Sequence, residues 1–214
     1  MTKKALIVWG GWDGHTPEQS ARLAGSILEA HDFEVDIEPT TEAFADEDLG
    51  RYDLIVPAIT MSRIEREELT NLLATVRAGT GVAGFHGLMS DSFRNEPDYQ
   101  FMVGGQWVSH PGNIIDYKVN IAKPQDPIMQ GIDDFPYHSE QYYMHFDPTI
   151  EVLATTTFTG EYFDEIDGVV MPVVWKRRFG KGRVFHTTLG HVVDEFEVPQ
   201  MRTIFERGAL WAAR

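Results

Sequence analysis

Strand and helix patterns alternate along the first half of the chain. Residues 5–9 and 54–56 are continuous apolar runs, typical of strands covered on both faces of a parallel sheet. Residues 33–37 and 81–85 also have a strand pattern. Helical spacing follows the first and third strands, at Leu23, Ala24, Ile27 and Leu28 and at Leu69, Leu72, Leu73 and Val76. This alternation predicts an α/β protein with a doubly wound, mostly parallel sheet and helices on both faces.

The ends of the two helices carry recognisable signals. Thr16-Pro17-Glu18-Gln19 matches a capping box with proline at the first helical position. Ser62-Arg63-Ile64-Glu65 matches a second capping box, and Gly79 is expected to end the helix that follows. The sequence therefore predicts helix starts at Thr16 and Ser62.

The pattern changes after about residue 112. Residues 113–122 and 151–158 alternate as edge strands do, with no helix pattern between them. Residues 169–175 and 182–187 are predicted to be strands joined by a turn at 179–182, one of them rejoining the main sheet. A closing helix is predicted around Met201, Ile204, Phe205 and Trp211. We expect antiparallel strands in the second half and one domain over residues 1–214.

Composition narrows the functional classes. The chain has 33 acidic and 18 basic residues, a net charge of −15, so nucleic acid is not an expected partner. It has no cysteine, which excludes disulfides, thiolate metal sites and thiol nucleophiles. No apolar run approaches the roughly 20 residues that span a bilayer, and Lys3-Lys4 leads directly into a strand pattern. We expect a soluble, cytoplasmic protein that does not bind membranes and forms a homo-oligomer.

The tetrapeptide Gly84-Phe85-His86-Gly87 has the pattern of a sharp strand-to-helix elbow. Glycines on either side of His86 suggest that other groups approach it closely. A helix amino terminus disfavours a cationic imidazole, so we expect a neutral His86 acting as base, hydrogen-bond partner or metal ligand. An elbow residue facing a cleft would contribute little to core packing. The alternative is a buried histidine satisfied by the backbone.

Further chemistry-bearing residues follow other predicted strands. His15 and Trp12 lie in the loop after the first strand, where His15 could instead help to cap a helix. His110 and Trp107 follow a glycine pair, and Glu140 and Tyr142 lie in a segment that could equally be a half-exposed strand. His191 ends the last strand, with Asp194 and Glu195 as candidate orienting carboxylates.

The carboxyl ends of parallel strands meet at one edge of a sheet, and ligands bind there in doubly wound folds. We therefore expect His86, His191 and Glu140 to converge on one cleft, with His15 and His110 at its rim. Neutral imidazoles and a carboxylate also suit zinc or another divalent ion, with His86, His110 and His191 as candidate ligands. The spacing shows no zinc motif, so metal binding stays open.

Two other site types lack their sequence patterns. Residues 158–168 are acidic but miss the calcium-loop spacing, so we interpret them as a solvated loop. The glycines at 10, 11 and 14 do not make a dinucleotide fingerprint, and nucleotide cofactors are not expected.

Together these motifs resemble the ThuA-like (trehalose utilisation) family over nearly the whole chain. The resemblance is carried by Gly84-Phe85-His86-Gly87, Gly104-Gly105 with His110-Pro111, Ser139-Glu140-Gln141-Tyr142, and 180–184 leading to Leu189-Gly190-His191. It implies the class I glutamine amidotransferase-like, flavodoxin-type fold, a three-layer sandwich. His86 would then stand where an amidotransferase has its cysteine, and His191 where it has its histidine. This chain has Ser139 where the family commonly has aspartate.

The resemblance implies a role in disaccharide use, including 3-keto sugars. The primary hypothesis is a hydrolase, lyase or isomerase that acts on a small-molecule sugar by acid–base chemistry. His86, His191 and Glu140 would be catalytic, with Trp12, His15, Trp107, His110 and Tyr142 lining the substrate site. A non-catalytic sugar-binding or regulatory module is the alternative. Glutamine hydrolysis through a thioester is excluded, because the chain has no thiol.

Overall fold

Strands and helices of the first half follow each other as the apolar pattern predicts. The computed structural model describes residues 2–214, and Met1 lies outside the described residues. The strands are β1 (Lys3–Gly11), β2 (Phe33–Glu38), β3 (Leu54–Thr60), β4 (Gly81–Phe85), β5 (Gly105–Ser109), β6 (Ile114–Ile121), β7 (Phe135–Glu140), β8 (Tyr143–Phe146), β9 (Glu151–Thr157), β10 (Val170–Phe179) and β11 (Gly182–Thr187). The α-helices are α1 (Pro17–Glu29), α2 (Arg66–Ala78), α3 (Gly87–Ser90), α4 (Pro97–Val103) and α5 (Pro199–Ala212).

Nine strands form one mixed sheet in the order β2-β1-β3-β4-β11-β10-β9-β6-β7. The first five run parallel, and β10, β9, β6 and β7 are added by antiparallel pairing. Strand β11 pairs antiparallel with β10 and parallel with β4, so the chain does rejoin the main sheet. The α/β fold with antiparallel strands in the second half is confirmed. Strands β5 and β8 form a separate two-stranded sheet.

Helices cover both faces of the sheet over two apolar cores. One core packs Ile27 and Leu28 of α1 and Phe205 of α5 against the strands. The other packs Leu72 of α2 and Met102 of α4 against the opposite face. Because both faces are covered, the central strands are apolar throughout, as in β3, where all seven residues are buried.

Both predicted capping boxes are wrong, although the helices exist. Thr16 precedes Pro17 as expected, but its side chain makes no cap hydrogen bond, and its hydroxyl accepts one from the Val193 amide instead (3.0 Å). Helix α2 begins at Arg66 rather than near Ser62, because Glu65 and Glu68 form the reciprocal box. None of the helices within residues 2–214 is long and apolar enough to cross a membrane.

Candidate active site

The elbow at the end of β4 forces His86 into an unusual backbone conformation. His86 has φ 49° and ψ −153°, close to a region that essentially only glycine adopts. A Cβ on Gly84 would lie 2.4 Å from Met89 Sδ, and one on Gly87 would lie 2.7 Å from Cε1 of His15. Both glycines are thus required because Met89 and His15 lie too close for a side chain at these positions, which explains the Gly-Phe-His-Gly pattern.

The His86 side chain is fully buried and hydrogen bonded at both nitrogens. Nδ1 donates to the Thr188 carbonyl oxygen (2.8 Å), since a carbonyl can only accept. Nε2 lies 3.0 Å from Oε2 of Glu140 and 2.6 Å from the Tyr142 hydroxyl. The expectation that an elbow residue contributes little to packing is therefore wrong here.

Glu140, at the end of β7, is the centre of the site. Its Oε2 contacts His86, while its Oε1 lies 3.4 Å from Nδ1 of His191 and 3.5 Å from Nε2 of His110. Burial alone would raise the pKa of Glu140, but the His86 hydrogen bond and the neighbouring imidazoles outweigh it and lower the pKa to about 2. Glu140 is thus an ionised carboxylate at neutral pH.

His191 follows β11 on a loop that a second carboxylate holds. Glu195 accepts hydrogen bonds from the backbone amides of Gly190 (3.1 Å) and His191 (3.0 Å). It therefore orients the loop backbone rather than the imidazole ring, and Asp194 makes no such contact. The ring of His191 stacks against that of His86, with centroids 5.2 Å apart. Burial, followed by the proximity of His86, lowers the pKa of His191.

His15 lies inside the site rather than at its rim. The loop after β1 folds into a short 3-10 helix, Asp13–His15, which turns the ring inward until it is only 4% exposed. Its Nδ1 hydrogen bonds with the Thr60 hydroxyl at the end of β3 (2.7 Å), and its ring meets that of His86 edge-on at 4.8 Å. Burial first, then His86 and His191, lowers the pKa of His15 to about 2. The rim prediction was wrong for His15.

His110 and the two tryptophans do line the edge of the site. The His110 side chain is 26% exposed, and its ring lies 5.5 Å from that of Trp107. Trp12 is 46% exposed and packs edge-on against His15. Tyr142, by contrast, is buried within the polar network, and burial followed by the charge of Glu140 raises its pKa well above the usual value. Its hydroxyl is therefore a neutral donor.

Four functional neighbours had no strong sequence signal. Thr60 and Thr188 hold the histidine rings, and neither belongs to a motif. Asp91 accepts a hydrogen bond from Arg94 (2.7 Å), whose guanidinium lies over the ring of Trp107. Burial raises the pKa of Asp91 despite this partner. The (i, i+3) spacing of Asp91 and Arg94 after the elbow was the only available clue.

Ligand atoms for a metal ion are available within this cluster. One atom each from His15, His86 and Glu140 lie within 4.8 Å of one another. Of the three predicted metal candidates, only His86 belongs to this set, and the nitrogens of His110 and His191 lie nearest the other Glu140 oxygen, Oε1, at 3.5 and 3.4 Å. The other two candidate ligands are therefore His15 and Glu140 rather than His110 and His191.

Comparison with known proteins identifies the class of protein. The chain matches the ThuA family, described as trehalose utilisation, over residues 4–212, and it belongs to that family. No curated protein matches the sequence significantly.

Solved structures show the same fold at low sequence identity. A ThuA-like protein from Parabacteroides merdae is 22% identical, with a TM-score of 0.81, 99% of this chain and 90% of that chain covered. One from Bacteroides uniformis is 18% identical, with a TM-score of 0.77 and coverage of 98% and 90%. A cytoplasmic protein from Salmonella typhimurium is 14% identical, with a TM-score of 0.69 and coverage of 99% and 100%.

Proposed function

We propose that this protein is an enzyme of carbohydrate utilisation that acts on a disaccharide or its 3-keto derivative by histidine and carboxylate chemistry. The observation that carries the proposal is the arrangement of His86, His110 and His191 around the buried carboxylate of Glu140. Membership of a trehalose utilisation family supports the substrate class.

The elbow cannot perform the thioester chemistry of a thiol amidotransferase. None of the 214 residues is cysteine, and the elbow residue is His86. Imidazole and carboxylate groups are instead suited to moving protons on and off sugar hydroxyls or the carbon next to a keto group. This chemistry supports acid–base catalysis.

The exposure of each side chain suggests how the roles divide. His191 and His110 are the more exposed partners of Glu140, at 14% and 26%, so a ligand entering the site would contact them first. We assign proton transfer to His191 and hydroxyl binding to Glu140 and His110. His86 and Tyr142 are assigned to positioning Glu140, since both lie behind it and are buried.

Aromatic side chains near the site support a sugar ligand. Sugars present apolar C–H faces that pack on aromatic rings, and polar groups then fix the hydroxyls. Trp12 and Trp107 contact His15 and His110 respectively, so their rings border the polar cluster. This combination suits a polyhydroxylated ring better than an apolar ligand.

The test is turnover of defined sugars by the purified protein. Trehalose, 3-keto-trehalose and other 3-keto-glycosides would be incubated with the wild type and followed by NMR. We expect conversion of a 3-keto-glycoside that falls at least ~100-fold in His191→Asn, but not in His138→Asn, which changes an exposed histidine paired with Asp116. Saturable binding without turnover would favour the sugar-binding module instead.

A further inference from the structure

The two deeply buried histidines of the site share one feature of hydrogen bonding. Nδ1 of His86 donates to the Thr188 carbonyl oxygen (2.8 Å), and Nδ1 of His15 hydrogen bonds with the Thr60 hydroxyl (2.7 Å). Each ring is therefore held at Nδ1, by a carbonyl acceptor for His86 and by a hydroxyl that can accept the Nδ1 proton for His15, and Nε2 faces other partners. Histidines that bind metals characteristically have this arrangement, because the second hydrogen bond fixes both tautomer and ring direction.

One ligand atom from each of these histidines lies close to a carboxylate oxygen. Within residues 2–214, His15, His86 and Glu140 each offer one ligand atom, and these atoms lie within 4.8 Å of one another. A tetrahedral Zn²⁺ ion needs about 2.0–2.2 Å to each nitrogen or oxygen, which places its ligand atoms about 3.4 Å apart, so a pair at the 4.8 Å limit would have to close by roughly 1.5 Å. The ion would bind between Nε2 of His86 and Oε2 of Glu140, which now lie 3.0 Å apart.

We propose that His15, His86 and Glu140 bind one divalent transition-metal ion of the zinc class. Two imidazole nitrogens and one carboxylate oxygen are a common ligand set for a catalytic zinc ion, which keeps a further position open. The absence of cysteine leaves only nitrogen and oxygen ligands, and imidazole ligands favour zinc and its neighbours over calcium or magnesium. His110 and His191 stay at the other carboxylate oxygen, Oε1.

Polar and aromatic groups that suit a sugar border the proposed ion site. The Tyr142 hydroxyl, 2.6 Å from Nε2 of His86, would turn to a new acceptor when the ion binds. The aromatic ring of Trp12 and the partly exposed ring of His110 border the same cluster. An ion here would polarise a keto or hydroxyl oxygen of the substrate, while His191 handles the proton.

This inference concerns the site of the proposed function, but it rests on side-chain geometry and is tested without any substrate. Protein lacking a histidine tag would be stripped with a chelator and titrated with Zn²⁺ against a chromophoric competitor. We expect one ion per chain with a dissociation constant below the micromolar range. Metal binding without sugar turnover would refute only the proposed function. Sugar turnover by the metal-free protein would show instead that the proposed function does not need the ion.

Matched variants locate the ion. Glu140→Gln removes the negative charge of one ligand and His15→Asn removes an imidazole ligand, and each should weaken Zn²⁺ binding at least 100-fold. Thr60→Val removes only the hydrogen bond to the His15 ring and should weaken it roughly 10-fold. His138→Asn, which removes an exposed histidine that pairs with an aspartate, should bind as tightly as the wild type.

A spectroscopic measurement on the wild type tests the proposal even if a variant fails to fold. In the Co²⁺ form of the wild type, two exchangeable imidazole N–H protons should shift strongly in the proton NMR spectrum, one each from the Nδ1 groups of His15 and His86. A wild type that binds less than 0.1 equivalent of Zn²⁺ at [Zn²⁺] of about 10 micromolar would overturn the proposal. Equal binding by the wild type, His15→Asn and Glu140→Gln would do the same.

Discussion

Nε2 of His86 lies 3.0 Å from Oε2 of Glu140, although 54 residues separate them in the sequence. The contact joins the elbow after β4 to the end of β7, so it links the parallel half of the sheet to its antiparallel extension. The imidazole is fully buried and fixed by the Thr188 carbonyl, and the carboxylate hydrogen bonds with His86 while nitrogens of His191 and His110 lie 3.4 and 3.5 Å from its other oxygen. The site is therefore a compact polar cluster.

The strained elbow predicts an unusual order of stability among His86 variants. His86→Ala and His86→Gly lose the same hydrogen bonds, but only alanine keeps a Cβ at φ 49° and ψ −153°. Relief of strain worth about 1–3 kcal/mol should exceed the ~0.5–1 kcal/mol entropic cost of glycine. We expect His86→Gly to be the more stable of the two by about 1 kcal/mol in urea unfolding.

The control for this comparison is Ala83→Gly, in the middle of the same strand. Ala83 is fully buried and not among the residues with positive φ, so glycine there should destabilise the protein. If His86→Gly proves less stable than His86→Ala, the backbone at the elbow is not strained.

Gly87 should not tolerate even one added methyl group. A Cβ there would lie 2.7 Å from Cε1 of His15 and 3.0 Å from the Tyr142 hydroxyl. Both groups belong to the polar cluster, so Gly87→Ala should displace them and lower the free energy of unfolding by roughly 1–3 kcal/mol. Sugar turnover by Gly87→Ala should also fall. Gly50→Ala is the control, because nothing lies within 4 Å of its Cβ position, and it should change neither quantity.

Much of the fold and of the site was predictable because the signals were local. The apolar runs and the position of polar residues just after strands predicted a parallel α/β sheet and the meeting of His86, His191 and Glu140. One failure was local, because Ser62 and Glu65 compete with Glu65 and Glu68 for the same pattern, and only the second pair forms the box. The other depended on a distant segment, because Thr16 is diverted to Val193, 177 residues away.

The burial of His15 also depends on residues that are far from it in the sequence. Its sequence neighbours predicted a loop histidine at a rim, and the loop does exist. The ring turns inward because Thr60, at the end of another strand, supplies a hydrogen-bond partner, and because Gly87 leaves it room. Neither residue is near His15 in the sequence.

Buried His186 should make the protein acid-sensitive. It lies within β11 against the Trp175 ring, and neither ring nitrogen has a hydrogen-bond partner in the described chain. Burial, followed by the proximity of His86, holds the pKa of His186 well below its usual value. Below the unfolded pKa of about 6.5, the unfolded chain binds a proton that the folded chain does not, so stability falls as pH falls.

His186→Leu removes this contribution without adding another titrating group. The free energy of unfolding would be measured from pH 7 to pH 5 for both proteins. The slope of the wild type should exceed that of the variant by up to ~1.4 kcal/mol per pH unit. Identical slopes would mean that His186 finds a proton acceptor or is already charged in the folded state.

The central claim is that Glu140 and its histidines carry out sugar chemistry. The most direct measurement is kcat/KM on a 3-keto-glycoside for the wild type, Glu140→Gln and His138→Asn, with folding of each checked by thermal unfolding. Glu140→Gln keeps the shape of the side chain but removes the charge that faces His86, His110 and His191. We predict a loss of at least ~100-fold for Glu140→Gln and none for His138→Asn. A folded Glu140→Gln protein with wild-type kcat/KM would contradict the account.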